Sequence, residues 1–313
     1  MDKKIRKTIP WFLILTIIGL MAGLNFWTSE VKADQASSGA SVGNSLPTCV
    51  DAVTITDVAG HITLTTNSTK EVSVSIEVTD NNGCEEVDED EKLTGKIYKT
   101  TATDACSLDN NDCYTLTCTY TAESCTVGGT DLAASFTCTA NLEYYADPAE
   151  WTAKLTPEDG TGSGTAGTDT TTVDTLTGLE LKDVTIAYGE LALGTNTDTT
   201  NQNTTVSNAG NEQIDVQLDG YGAEDGDGKA MTCTIGTVTI GNEKYLAEAF
   251  DYDTAGTALS DTAATLQMDI AQRTNDVDET AEDEEVYWGF GLPADGVGGS
   301  CTGKVNFTAI SDS

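Results

Sequence analysis

Nine cysteines, one histidine and a large surplus of carboxylates are the side chains of this 313-residue chain that could do chemistry. Seven cysteines fall early (Cys49, Cys84, Cys106, Cys113, Cys118, Cys125 and Cys138), and Cys233 and Cys301 follow. The spacings 113/118, 118/125 and 125/138 include no Cys-x-x-Cys pair, and His61 is the sole histidine, which argues against structural zinc. Disulfides are the better use of these thiols in an exported chain. Position nearly forces Cys233 with Cys301, and closing that 68-residue loop stabilises the fold by about 4 kcal/mol in the chain-entropy model. Earlier in the chain we favour Cys106 with Cys113 across the turn at 107–112, Cys118 with Cys138 across facing strands, and Cys84 with Cys125 to complete the set. Cys49 is then odd. Either it is a free thiol able to link two chains, or it takes one of those partners and another thiol stays buried.

The carboxylates suggest a hard cation. Residues 224–228 place Asp225 and Asp227 on a flexible turn, residues 109–112 place Asp109 and Asp112 on another, and a third acidic run covers 276–285. Calcium accepts such oxygen ligands with little geometric demand, although none of the three follows the twelve-residue helix-loop-helix pattern. The competing reading is hydrated acidic turns. Calcium is the single cofactor these residues suggest. Elsewhere the chemistry is thin. His61 sits beside Ile62 and Leu64, which claim the buried face, so the imidazole is expected in solvent, and no Gly-x-Ser-x-Gly elbow accompanies it. The spaced glycines of 162–167 lack the strand before and helix after that a dinucleotide site needs. With 51 acidic residues, carboxylate pairs at glycosidase distances are guaranteed and uninformative. No catalytic residue is assigned.

The elements that must position these groups begin after a leader. Residues 1–33 combine Lys3, Lys4, Arg6 and Lys7, an apolar run at 10–26, and small residues at minus three and minus one if cutting follows Ala33, the pattern of a secretory signal peptide. The run is short for a bilayer span, so membrane attachment would require an uncleaved leader. Residues 34–47 read as a disordered polar spacer. Alternation then starts with Val72, Val74, Ile76 and Val78, continues with Tyr114, Leu116, Cys118 and Tyr120 and with Phe136, Cys138, Ala140, Leu142 and Tyr144, and closes with Trp151, Ala153 and Leu155. This makes residues 48–157 a cysteine-rich β-sandwich domain. Residues 158–175, rich in Gly, Thr, Asp and Ser, read as a linker. Residues 176–313 restart with Leu179, Leu181, Val184, Ile186 and Tyr188 and continue through Ile214–Leu218, Cys233–Ile235, Val238–Ile240, Leu266–Ile270 and Val305–Ala309, with one helical turn hinted at 245–250. Strands at roughly ten-residue spacing indicate a second sandwich.

Within 179–310 the stretches Tyr188-Gly-Glu-Leu-Ala-Leu-Gly-Thr195, Thr204-Thr-Val-Ser-Asn-Ala-Gly-Asn211 and Ile214-Asp-Val216 resemble immunoglobulin-like sandwich modules of prokaryotic exported surface proteins. Trp288-Gly-Phe-Gly-Leu-Pro293 and Gly303-Lys-Val-Asn-Phe-Thr-Ala309 are similar to their final hairpin. The resemblance implies fold and location rather than activity. The expected architecture is all-β: two disulfide-stapled immunoglobulin-like β-sandwich domains after a secretory leader. A net charge of −36 repels nucleic acid and anionic lipid and favours cations and basic surfaces. The expected role is a secreted or cell-surface, non-enzymatic structural or adhesive protein with cell-surface components or glycans as partners. A calcium-dependent carbohydrate-binding or carbohydrate-degrading protein is one alternative. A filament subunit, homo-oligomeric through strand donation or a Cys49 link, is another.

Overall fold

Strand β4 shows how the pattern becomes structure. Val72, Val74, Ile76 and Val78 are buried, while the residues between them are exposed or half-exposed, so one face of the strand packs and the other meets water. In this computed structural model the described residues are 37–50, 53–56, 60–108, 110–126, 128, 130–277 and 282–312. The leader therefore lies outside the described residues. The first strands are β1 (Thr48–Cys49), β2 (Thr54–Thr56), β3 (His61–Ile62), β4 (Lys70–Thr79), β5 (Leu93–Lys99), β6 (Cys113–Tyr120), β7 (Ala133–Leu142), β8 (Glu150–Pro157) and β9 (Gly167–Val173). They form one continuous sheet in the order β1-β4-β7-β6-β5-β8-β9-β3, with β2 also on β4. The sheet folds over at β6, whose residues 113–116 pair with β5 and 117–120 with β7. A bridge between Thr48 and Thr165 closes it on the other side, where Cys49 N donates to Thr165 O at 3.1 Å. All strand pairs here are antiparallel except β3 on β9. The enclosed core is built around Trp151, Phe136, Ile97, Leu142 and Leu155, and Trp151 stacks on Tyr114.

Two expectations about segment boundaries need correction. Residues 158–175 are not a linker: β9 lies within them and pairs with β8 along Glu150–Leu155. Its small residues are a packing requirement. A Cβ on Gly167 would stand 2.9 Å from Cys49 Cβ and 2.8 Å from Val53 Cγ2, so a composition that looks like loop is what close approach of strands demands. Nor is all of 34–47 a free spacer. Asn44 Nδ2 donates to Asp159 Oδ2 at 2.6 Å, Ser45 N donates to Asn82 Oδ1, and Pro47 is buried.

The later strands are β10 (Leu179–Leu181), β11 (Gln202–Asn208), β12 (Ile214–Tyr221), β13 (Lys229–Ile235), β14 (Thr237–Thr239), β15 (Glu243–Leu246), β16 (Thr257–Ala258), β17 (Ala264–Ile270), β18 (Asp283–Phe290), β19 (Gly298–Thr302) and β20 (Lys304–Ser311). They make three sheets, β10-β11-β18-β15-β16, β17-β12-β20 and β14-β13-β19. The first two face each other over a core holding Trp288, Tyr245, Ile214, Leu218 and Ile270. The indole of Trp288 donates to Thr204 Oγ1 at 2.9 Å, which satisfies the one polar atom that its burial would otherwise orphan. Residues 245–250 give no helical turn; Tyr245 and Leu246 belong to β15, paired with β18. β18 and β20 lie in different sheets, so the Trp288 and Phe307 segments are not a hairpin.

Each body carries disulfides. Cys84–Cys125, Cys106–Cys113 and Cys118–Cys138 staple the first, and Cys233–Cys301 joins β13 to β19 in the second. The fold is all-β with two stapled sandwich cores, and residues 44–313 form one compact unit. Among the described residues no helix is long and apolar enough to cross a membrane.

Candidate partner groove

The second sandwich is open along one side. Its first sheet ends at β10, which pairs only with β11, and its second ends at β20, which pairs only with β12 among the described strands. The alternation of Leu179, Leu181, Val184 and Ile186 promises a longer strand than β10 proves to be. After Leu181 the chain leaves the sheet: Lys182 N still donates to Thr205 O at 3.0 Å, but residues 182–194 form no strand and Val184 is 84 % exposed. This stretch runs as a strap beside the opening. It is pinned by Tyr188, whose hydroxyl donates to Glu243 Oε1 at 2.7 Å and whose ring stacks on Phe290.

Between strap and β20 lies a cleft of about 400 Å³, lined among others by Leu181, Val184, Ile186, Met231, Val305 and Phe307. A second hollow of about 350 Å³ shares Ile186, Met231 and Cys301 with it and continues toward Leu191 and Leu292. The two make an elongated groove. On β20, Val305, Phe307 and Ala309 pack against the core but stay half-exposed, whereas Val216 and Leu218 on neighbouring β12 are fully covered. A strand with an unpaired outer edge and a half-covered apolar row is a template for another strand. One acid in the wall is buried. Glu243 is 3 % exposed, and burial pushes its carboxyl up to about 7, against the lowering effect of the Tyr188 hydroxyl.

The other residues with candidate roles lie elsewhere. Asp225 is exposed on its turn. Asp227, two residues on, accepts hydrogen bonds from the backbone N–H groups of Gly222, Ala223 and Lys229 at 2.9–3.1 Å, and these donors hold its carboxyl down at about 2. Those oxygens are committed to shaping the loop. Asp112 is half-buried at the start of β6 with Oδ1 lacking a hydrogen-bond partner, and Asp109 lies outside the described residues. Neither turn contributes to a group of three potential metal ligands among the described residues; the carboxylates that do converge include Asp80, Glu86 and Asp159. Sequence reading missed them because they come from distant turns. His61 is in solvent on β3, its Nδ1 2.8 Å from Asp174 Oδ1, with Thr63 donating to the same carboxylate. Cys49 is the free thiol.

No protein-family model matches the chain, and no curated protein matches its sequence. Among solved structures it is similar to a chain in the chaperone–tip adhesion subunit pre-assembly complex CsuC–CsuE, from archaic chaperone-usher Csu pili of Acinetobacter baumannii. That likeness spans 80 % of this chain and 96 % of that one at 9 % identity and a TM-score of 0.38. It is also similar to a chain in a chaperone–tip adhesin complex of CFA/I fimbriae biogenesis, over 86 % of this chain and 84 % of that one, at 10 % identity and a TM-score of 0.30.

Proposed function

We propose that this chain is an exported, non-enzymatic structural subunit whose second sandwich accepts an extended strand from a partner protein along the outer edge of β20. The observation that carries this reading is the unpaired edge of β20 beside the half-exposed row Val305, Phe307 and Ala309, both opening into one groove. An added strand would supply main-chain hydrogen bonds to the edge, and its alternate apolar side chains would fill the cleft under the strap. The net charge of −36 selects a partner whose strand is flanked by basic residues.

Hydrogen exchange on the leader-free chain, with and without an octapeptide alternating isoleucine and lysine, tests it. The expected result is slowed exchange at β20 amides that is lost in Phe307→Asp and weakened by salt. Protection that appears elsewhere, or that survives Phe307→Asp, would count against the groove.

A further inference from the structure

Three acids from two distant parts of the first body meet in space. Asp80 opens the turn after β4, Glu86 closes the 3-10 turn Cys84–Glu86, and Asp159 lies in the connection from β8 to β9. One carboxylate oxygen from each lies within 4.8 Å of the others. Asp80 is 1 % exposed. Its Oδ1 accepts the Asn82 N–H at 2.8 Å, which leaves Oδ2 buried with no hydrogen-bond partner. Asp159, 8 % exposed, accepts the Asn44 amide on Oδ2 at 2.6 Å and the Thr161 and Gly162 N–H groups on Oδ1 at 2.7 and 3.0 Å. A buried carboxylate oxygen with nothing to bind, beside a second buried acid and a third on the rim, lacks a positive partner. Lys92 is the neighbouring cation, its Nζ 3.5 Å from where a Cβ on Gly160 would stand. It makes no ion pair with any of the three among the described residues.

We propose that Asp80, Glu86 and Asp159 bind one calcium ion. The ligands are all hard oxygens, the nearby Cys84 and Cys125 are tied to each other, and no histidine is near, so zinc has no donor here. Calcium takes carboxylates in loose geometry and completes its shell with water. Bound there, it fastens the turn bearing the Cys84–Cys125 bridge to the β8–β9 connection. Through the bond from Asn44 to Asp159 it also fixes the point where the N-terminal segment enters the fold. This site is independent of the groove and stands or falls without it.

The test is thermal melting and calorimetric titration of the chelator-stripped, leader-free chain with CaCl2 to ~10 mM, against MgCl2 at equal ionic strength. The expected result is a saturable rise in melting temperature with a dissociation constant of ~10⁻⁴–10⁻³ M, as in extracellular modules. Glu86→Gln, on a partly exposed side chain that leaves the core untouched, should weaken it about tenfold. Asp215→Asn, in the separate group with Asp269 and Asp312, should leave it unchanged. The proposal is overturned if calcium does no more than magnesium, if Glu86→Gln titrates like the parent chain, or if Asp215→Asn abolishes the response.

Discussion

Asn211 and Leu176 bind each other twice: Leu176 N donates to Asn211 Oδ1 at 2.6 Å, and Asn211 N donates to Leu176 O at 2.9 Å. The remaining donors of the same amide reach back into the first body, Nδ2 donating to Ala146 O at 2.8 Å and to Asp174 O at 3.0 Å. Asn211 is fully buried, so one side chain satisfies backbone groups on both sides of the junction between the two cores. Tyr145 adds to this contact through its hydroxyl bond to Asp276, and Gln272 through its amide bond to Asp147.

Replacing Asn211 with leucine keeps the branched skeleton and strands Leu176 N, Ala146 O and Asp174 O in a dry site. Burying unpaired polar groups of this kind should cost about 3 kcal/mol, read as a lower urea midpoint. Asn211→Asp should fare no better, since it loses both donors and sets a charge against two carbonyl oxygens. A leucine variant within ~0.5 kcal/mol of the parent would mean that water enters the junction and replaces the amide.

Glu243 gives the groove a pH dependence of definite sign. Its carboxyl titrates at about 7 in the folded chain because burial penalises the charge, and near 4.3 when unfolded. The folded state therefore holds the extra proton between those values. The stability linked to it is fully present below about pH 4.3 and is lost as pH rises through 7, an amplitude of about 4 kcal/mol. Glu243→Gln should flatten stability across that window while keeping the partner of Tyr188, as followed by denaturation midpoints at several pH values. An unchanged slope would show that Glu243 is hydrated.

Asp227 should behave in the opposite sense. Its four backbone donors, Ala223 first, hold it at about 2, below the ordinary aspartate value, so its contribution is present above about pH 4 and disappears as pH falls through 2. Asp227→Asn should lower the melting temperature at neutral pH and match the parent in strong acid. The same variant should leave calcium titration untouched, because Asp227 lies outside the group formed by Asp80, Glu86 and Asp159.

What could be read from the chain follows from how locally each feature is encoded. The buried faces of β4 and β7 are written in strict alternation, and the sheet obeys it. β9 was hidden because Gly167 answers to the close approach of Cys49 and Val53, a reason held 114 or more residues away. The run from Val184 to Tyr188 carries strand alternation without a neighbour to pair with, so pattern alone overstated it. Asp80, Glu86 and Asp159 sit in separate turns that only the closed sheet brings together. By contrast, Asp225 and Asp227 drew notice because they share one short turn, and a tight turn is what lets Asp227 bind its own backbone instead.

Cys49 offers a sharper test of how firmly the first sheet is closed. Its thiol is half-buried at the seam, with Sγ 3.8 Å from Leu155 O, and burial pushes its pKa up. The thiolate is the reactive form, so alkylation by iodoacetamide should be at least ~10-fold slower in the folded chain than in urea, and nonreducing electrophoresis should show the same monomer for the parent and for Cys49→Ser. The seam itself can be loosened without touching sulfur. Gly167→Ala drives a methyl group to within 3 Å of both Cys49 and Val53, an overpacking that should cost about 1–3 kcal/mol and open β1. In that variant the thiol should become fast to alkylate. Rapid alkylation of the unmodified chain, or a dimer band that Cys49→Ser removes, would instead mean that β1 leaves the sheet in solution and that the pairing of Thr48 with Thr165 does not close it.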